Sequence, residues 1–292
     1  MKKGNESILL VLIATLAVFA ASGDGSLSGC PDGCAGTVRN DVSLVRDGRT
    51  VWAYSEQAGK PCVHPLSLPG GRVLTTTGDA DHSWHHGLWF SWKFLNGVNF
   101  WEEDGAGRSD GEQRVRQTDV RRDGAAAEVT QEIDWGPRAE PDRTFLREHR
   151  KVSFSEPDAS GGFVIDWTAR FTACERTTVD RTPPTLHGDG HWSGGYAGFS
   201  LRLADGCRGF AVTTSGGATA QADVIARETG WIDYADPADG HGIRLEVVRA
   251  PGRRVFYHWT DHRFTNLSPV FDGPIVLERG DTLELSYRAT VH

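Results

Sequence analysis

Beyond its first two dozen residues, the 292-residue sequence has no apolar run approaching a membrane span, which takes about 20 consecutive apolar residues in a helix. It also lacks any stretch of 12 or more residues with a 3.6-residue apolar period, the mark of an amphipathic helix, so helices are not expected to build the fold. Its five cysteines, Cys30, Cys34, Cys62, Cys174 and Cys207, include no C-x-x-C pair, so a structural zinc site is not expected. A basic excess is missing too: 31 Lys and Arg face 39 Asp and Glu, a net charge of −8. Phosphates bind to basic surfaces, so a nucleic-acid partner is not expected. No G-x-S-x-G elbow, phosphate loop, H-E-x-x-H or dinucleotide glycine fingerprint occurs, and the chemistries they signal are set aside.

What is present begins at the N-terminus. Lys2 and Lys3 precede an apolar or small run from Ile8 to Ala21, followed by Ser22, Gly23 and Asp24. A basic start, an apolar stretch of this length and small residues after it describe a signal peptide over residues 1–22. The protein is therefore expected to be exported: periplasmic, extracellular or tethered to the bacterial envelope. Leu27-Ser28-Gly29-Cys30 resembles a lipobox, which makes a lipid anchor at Cys30 a second expectation. Removing residues 1–22 takes the net charge from −8 to −9. Residues 23–40, rich in Gly, Asp and Ser, read as a flexible leader, and 41–292 as one domain. Exported cysteines favour disulfides: Cys30 with Cys34 would close a small loop and Cys174 with Cys207 would staple two strands, leaving one free or lipidated.

Strand signals run through the rest. Val42–Arg46 and Thr50–Tyr54 flank Asp47-Gly48, a hairpin turn pair that supplies positive φ. Asp123-Gly124, Asp205-Gly206 and Arg279-Gly280-Asp281 repeat the device. Phe163, Ile165, Trp167, Ala169 and Phe171 alternate with Asp166, Thr168 and Arg170; Leu283, Leu285, Tyr287, Ala289 and Val291 alternate with Glu284, Ser286, Arg288 and Thr290. Many strands with Gly-rich turns between them, 35 Gly in all, predict an all-β, large antiparallel two-sheet β-sandwich.

Candidate chemistry concentrates between Lys60 and Trp101. These 42 residues hold four of the eleven His (His64, His82, His85, His86) and four of the ten Trp (Trp84, Trp89, Trp92, Trp101). Imidazole suits proton transfer or metal ligation near neutral pH, and indole offers a flat apolar surface for stacking. A single loop histidine commonly does no more than satisfy backbone groups; several together point to a site. On a strand through Leu88–Trp92, Leu88, Phe90 and Trp92 share one face and Trp89 and Ser91 the other, so one aromatic set fills the sandwich and the other lines a cleft. A Gly70-Gly71 turn and the short strand Arg72–Thr76 separate His64 from His85 and His86. Such a return brings both ends to one sheet edge, and the three are expected to converge on one pocket with Trp89 or Trp101 in its wall. Surrounding indoles would push an imidazole pKa down.

Several blocks carry a resemblance: His64-Pro65-Leu66, Gly71-Arg72-Val73-Leu74-Thr75, Asp81-His82-x-x-His85-His86-Gly87-Leu88-Trp89-Phe90, Asn96-Gly97-Val98-Asn99-Phe100-Trp101, Gly230-Trp231-Ile232-Asp233-Tyr234 and the ending Tyr287–His292. Together they resemble a bacterial family named methane oxygenase PmoA-like, a domain of unknown function. The resemblance implies a supersandwich like that of galactose mutarotase, and sugar chemistry by association. The family name is not read as an activity, because a membrane methane monooxygenase subunit needs several spanning helices.

The candidate catalytic residues are His64, His85, His86 and Glu102, the last paired in sequence with Glu103. The candidate substrate-binding residues are His82, Trp89, Asn99, Trp101 and Arg288. No cofactor is expected; a divalent metal is the alternative, with His64, His82, His85 and His86 as ligands and Asp81 beside them. Asp166, Thr168, Arg170, Glu132 and Asp134 bind ligand if their sheet face is concave and are an ordinary polar surface if it faces solvent. His187–Trp192 reads as a rim loop, and Tyr257-His258-Trp259 with Asp261-His262-Arg263 as a late polar-aromatic patch. The expected function is an exported carbohydrate-active enzyme on a glycoside or oxidised sugar, working by His acid–base chemistry of lyase, hydrolase or epimerase type. The rivals are a non-catalytic carbohydrate-binding module and a metal-dependent enzyme with a His-rich centre.

Overall fold

A computed structural model of the protein describes residues 42–292 apart from 189–191, 221–223, 226 and 260–262. The signal peptide, the leader, Cys30 acylation and the Cys30–Cys34 loop lie outside the described residues, as do His191, Asp261 and His262.

Two eight-stranded antiparallel sheets dominate. Sheet I runs Val42–Arg46, Arg49–Gln57, Lys60–Leu66, Leu88–Ser91, Gly198–Arg202, Phe264–Leu267, Val255–Trp259 and Arg227–Glu228. Sheet II runs Ala211–Thr214, Trp231–Ala235, Gly242–Arg249, Thr282–Val291, Phe163–Ala173, Leu146–Phe154, Ala126–Pro137 and Gly111–Asp123. The large antiparallel β-sandwich is the architecture that the alternating sequence predicts.

Alternation drives it. Phe163, Ile165, Trp167, Ala169 and Phe171 are buried, as are Leu283, Leu285, Tyr287, Ala289 and Val291 on the strand beside them, with Trp167 opposite Tyr287. Rings from the two sheets meet face to face or edge on: Trp52 stacks on Phe154 at 3.9 Å, Phe199 on Tyr287 at 4.7 Å, and Tyr54 meets Trp167 at 6.0 Å. Each large apolar side chain so buried contributes about 1.5–3 kcal/mol. Within this apolar layer sits a polar knot. Glu148 and Arg150, both 0% exposed, pair at 2.6 Å, Trp135 Nε1 donates to Glu148 at 2.8 Å, and Arg150 donates to Gln113 at 3.2 Å.

The turn residues act as their chemistry demands in part. Asp47 and Gly48 have φ of 50° and 73°, the doubly positive pair of a two-residue hairpin, and Gly124 has φ 58° between Gly111–Asp123 and Ala126–Pro137. Asp205-Gly206 departs from expectation: it lies in a 3-10 turn, Asp205–Cys207, whose Cys207 N–H bonds Ala204 O, and it joins no hairpin. The Cys174–Cys207 staple is also corrected. Cys62, Cys174 and Cys207 are free thiols. Cys207 is buried under the Leu74 carbonyl, whereas Cys174 hydrogen-bonds the Thr172 carbonyl beside Arg147, so different neighbours hold them.

The outer faces of the sheets differ, and the difference positions the site. On sheet II, Arg288 holds Asp166 at 2.7 Å, Arg116 and Arg147 hold Asp134 at 2.9 and 3.1 Å, and His149 meets Glu132 at 2.7 Å. That face is a surface of paired charges. Sheet I is covered on both sides. Leu88, Phe90 and Trp92 enter the sandwich core, while Trp89 and Cys62 join Tyr257, Trp259, Phe264 and Trp101 in a second cluster on the outer side.

Candidate functional site

The second cluster exists because the strands of sheet I alternate large rings on both faces. Phe264 lies opposite Arg202, Trp89 opposite Ser200, and Trp259 opposite Phe264, all on the outer side. A small hairpin, Thr77–Asp79 with His82–His86, folds over this face. Gly87 fastens it: its N–H bonds Thr76 O at 2.9 Å, and its carbonyl accepts from Arg202 N at 2.7 Å. A Cβ there would stand 2.5 Å from Val63 O at a φ of +64°, so only glycine lets the hairpin approach this closely.

Between hairpin and sheet opens a cleft of about 600 Å³, mouth included. Its walls are Trp84, Trp101, Trp192, Tyr196, Trp259 and Phe264, and His82, His85, Ser193 and Gly194 supply the polar lining. His85 is 3% exposed and stacks between Phe264 at 4.4 Å and His82 at 4.8 Å. Its Nδ1 is sealed and has no hydrogen-bond partner among the described residues. Burial first, then the neighbouring charges of His82 and Arg202, hold its pKa well below the ordinary value, so the ring is neutral. His82 Nδ1 is 3.1 Å from Asp81, which Arg202, itself 0% exposed, grips at 2.5 Å while also binding Asp79 at 3.0 Å. Burial raises the Asp81 pKa, but the Arg202 and His82 hydrogen bonds outweigh it and leave the carboxyl ionised well below its usual range.

The three histidines expected on one pocket are divided. Only His85, with His82, lines the cleft. His86 is buried behind it, Nε2 2.8 Å from Glu103 and Nδ1 3.0 Å from Thr77. His64 bonds Thr75 at 3.0 Å, and burial followed by the charge of His86 lowers its pKa. The physical reason is strand alternation: consecutive residues 85 and 86 present opposite faces. Among the described residues no group of three or more His, Cys, Asp or Glu is arranged to hold a metal; His64, His82 and His86 are held apart by Thr75, Asp81 and Glu103.

The remaining candidates are placed differently. Trp101 lines the cleft, with Lys60 donating to its carbonyl at 2.7 Å. Trp89 lies fully buried 5.8 Å from Trp101, beneath the wall. Asn99 accepts from Trp101 N at 2.9 Å and so shapes the turn. Glu102 pairs with Lys93 and accepts from the Tyr196 hydroxyl at 3.2 Å. Burial raises its pKa, and the Lys93 contact outweighs this. Arg288 does not line this cleft: its guanidinium lies on the outer face of sheet II against Asp166. His258 points between the sheets, 2.8 Å from Tyr234 Oη, and burial lowers its pKa to about 4. Sequence reasoning missed Tyr196, Phe264 and Arg202. Each is an ordinary residue far along the chain, and nothing local marks it. Trp192 and Trp259 were visible only as rim and patch.

The model of a family of unknown function, DUF6807, matches residues 41–292. The chain belongs to this family. The PmoA-like resemblance is corrected accordingly, because the matching model is that of DUF6807. In this DUF6807 member the suggestive blocks are pieces of scaffold as much as site: Gly87 fastens a hairpin and Trp89 underlies a wall. No curated protein matches the chain. Among solved structures, a galactose mutarotase-like protein from Lactobacillus casei ATCC 334 is similar at 13% identity and a TM-score of 0.44, over 87% of this chain and 100% of that one. A galactose mutarotase related enzyme from Lactobacillus acidophilus is similar at 8% identity and a TM-score of 0.42, over 86% of this chain and 97% of that one. Likenesses of this degree say nothing of ligand or reaction.

Proposed function

We propose that the protein is a carbohydrate-active enzyme that stacks a sugar ring in the aromatic cleft and acts on it through the neutral imidazole of His85. One observation carries this reading: a 3%-exposed histidine whose Nδ1 has no hydrogen-bond partner among the described residues lines a cleft walled by six aromatic side chains. Indole and phenol faces suit the C–H face of a pyranose. A neutral imidazole can take a proton from a sugar hydroxyl or from carbon beside a carbonyl. Tyr196 lines the cleft beside Trp101, at 5.2 Å from that ring, and its hydroxyl donates to Glu102. Burial and then the Glu102 charge raise the Tyr196 pKa, which keeps its proton in place. Glu102 thus acts as a positioning residue for Tyr196.

A second reading has its own support. Among the described residues no carboxylate is hydrogen-bonded to His85, and the charge of Asp81, which favours an imidazolium, is outweighed by burial and by His82 and Arg202, so the same neutral ring serves equally as a hydrogen-bond partner in a binding module. His85→Gln separates the two. In an enzyme, turnover of a glycoside falls by about 10²–10⁴-fold while sugar binding persists within an order of magnitude. Loss of binding alone, with no turnover by the unaltered protein on any glycoside or keto-sugar offered, overturns catalysis. We further propose export on residues 1–22; exported protein whose sequence begins at Met1 overturns it.

A further inference from the structure

Three cations stand directly behind the cleft walls, and each is committed to a carboxylate. Behind Trp101, Lys60 bonds its carbonyl and pairs with Glu103 at 2.7 Å. Behind Tyr196, Lys93 lies 5.4 Å from the ring centre and pairs with Glu102. Beside Phe264, Arg202 holds Asp79 and Asp81. Among the described residues, none of those lining the cleft is Lys, Arg, Asp or Glu. The segments adjoining Trp192 and Trp259 in sequence, 189–191 and 260–262, contain no Lys or Arg either.

We propose that the cleft selects an uncharged sugar, whether glycoside or keto-sugar, over one bearing a carboxylate, phosphate or sulfate. The inference rests on the carbohydrate reading and narrows it. An anion entering among indole faces sheds water and meets no fixed positive charge, and burying an unpaired charge is far costlier than burying a hydroxyl. Sugar hydroxyls need only single hydrogen bonds, which His82, His85, Ser193 and Tyr196 can provide from the lining. The apolar ring face is served by the aromatic walls.

The test titrates the full chain, by tryptophan fluorescence and calorimetry at a pH of about 8, where free imidazoles are neutral. The probes are methyl glucopyranosides and galactopyranosides, matched with the corresponding methyl uronosides carrying a free carboxylate. Neutral sugars are expected to bind and each uronoside to bind at least about tenfold more weakly. Ser193→Lys, which places a cation in the lining, is expected to narrow that gap. Uronosides binding as well as or better than their neutral partners overturn the inference and leave the carbohydrate reading standing. A gap that Ser193→Lys leaves unchanged overturns the charge explanation. Binding by none of the probes overturns the carbohydrate reading and the inference with it.

Discussion

His85 and His258 are both buried imidazoles, but they differ in what surrounds them. His258 is enclosed between the sheets with Tyr234, and His85 lies on the opposite side of sheet I, at the cleft. Both are neutral in the folded protein and take a proton more readily once unfolded. The unfolded state therefore binds more protons at mildly acid pH, and stability falls as pH falls. The contribution is fully present above about pH 6.5, the ordinary histidine value, and is lost toward the folded value, about 4 for His258. A shift of that size corresponds to something on the order of 3 kcal/mol. The unfolding free energy is thus expected to drop between pH 7 and pH 5, and His258→Gln to flatten that drop. A profile identical in the variant contradicts the assignment. His85→Ala removes a ring from the stack between His82 and Phe264 and is expected to cost about 1–3 kcal/mol as well as function, measured as a lower midpoint in urea.

Strands and hairpins show which features a linear sequence can reveal. The alternation in Phe163–Phe171 and Leu283–Val291 was legible because a period of two is local, and so was the split of Leu88, Phe90 and Trp92 from Trp89. Partnership across strands was not. Asp166 meets Arg288 across 122 residues, and the polar alternation of either strand alone could not separate a binding face from a paired surface. His85 and His86 were legible as a cluster, but their opposite orientations followed only once the hairpin was fixed. Glycines show the same limit: Gly87 stood in a recognisable block, while Gly195 carried no signal. A Cβ at Gly195 would lie 1.7 Å from Tyr257 Oη at a φ of +78°. Gly195→Ala is therefore expected to displace the loop that carries Tyr196, weakening saccharide binding by about tenfold or more while costing more than about 1 kcal/mol of stability. Gly87→Ala loosens the hairpin from sheet I. Both are checked by urea unfolding beside a binding titration, and wild-type behaviour in either variant contradicts the close approach.

At the scale of the whole molecule, sheet I is shared: one face closes the sandwich core and the other floors the cleft. Substitutions on the core side should then cost stability while leaving binding intact. The Glu148–Arg150 pair tests this, because it lies in the sandwich core, away from the cleft lining. Removing one partner of a buried ion pair leaves an uncompensated charge and typically costs about 3–5 kcal/mol. Arg150→Met and Glu148→Leu are each expected to lower the unfolding midpoint sharply. The double variant should cost less than the sum of the two, with a coupling of about 0.5–3 kcal/mol. It will not recover fully, since Trp135 Nε1 and Gln113 lose their partners, at about 1–3 kcal/mol for each group left unpaired. Below their lowered midpoints these variants should bind sugar as the unaltered protein does, because the cleft lining is untouched. Strict additivity of the singles contradicts the coupling of the pair, and binding lost while the variant remains folded contradicts the division of labour between the two faces of sheet I.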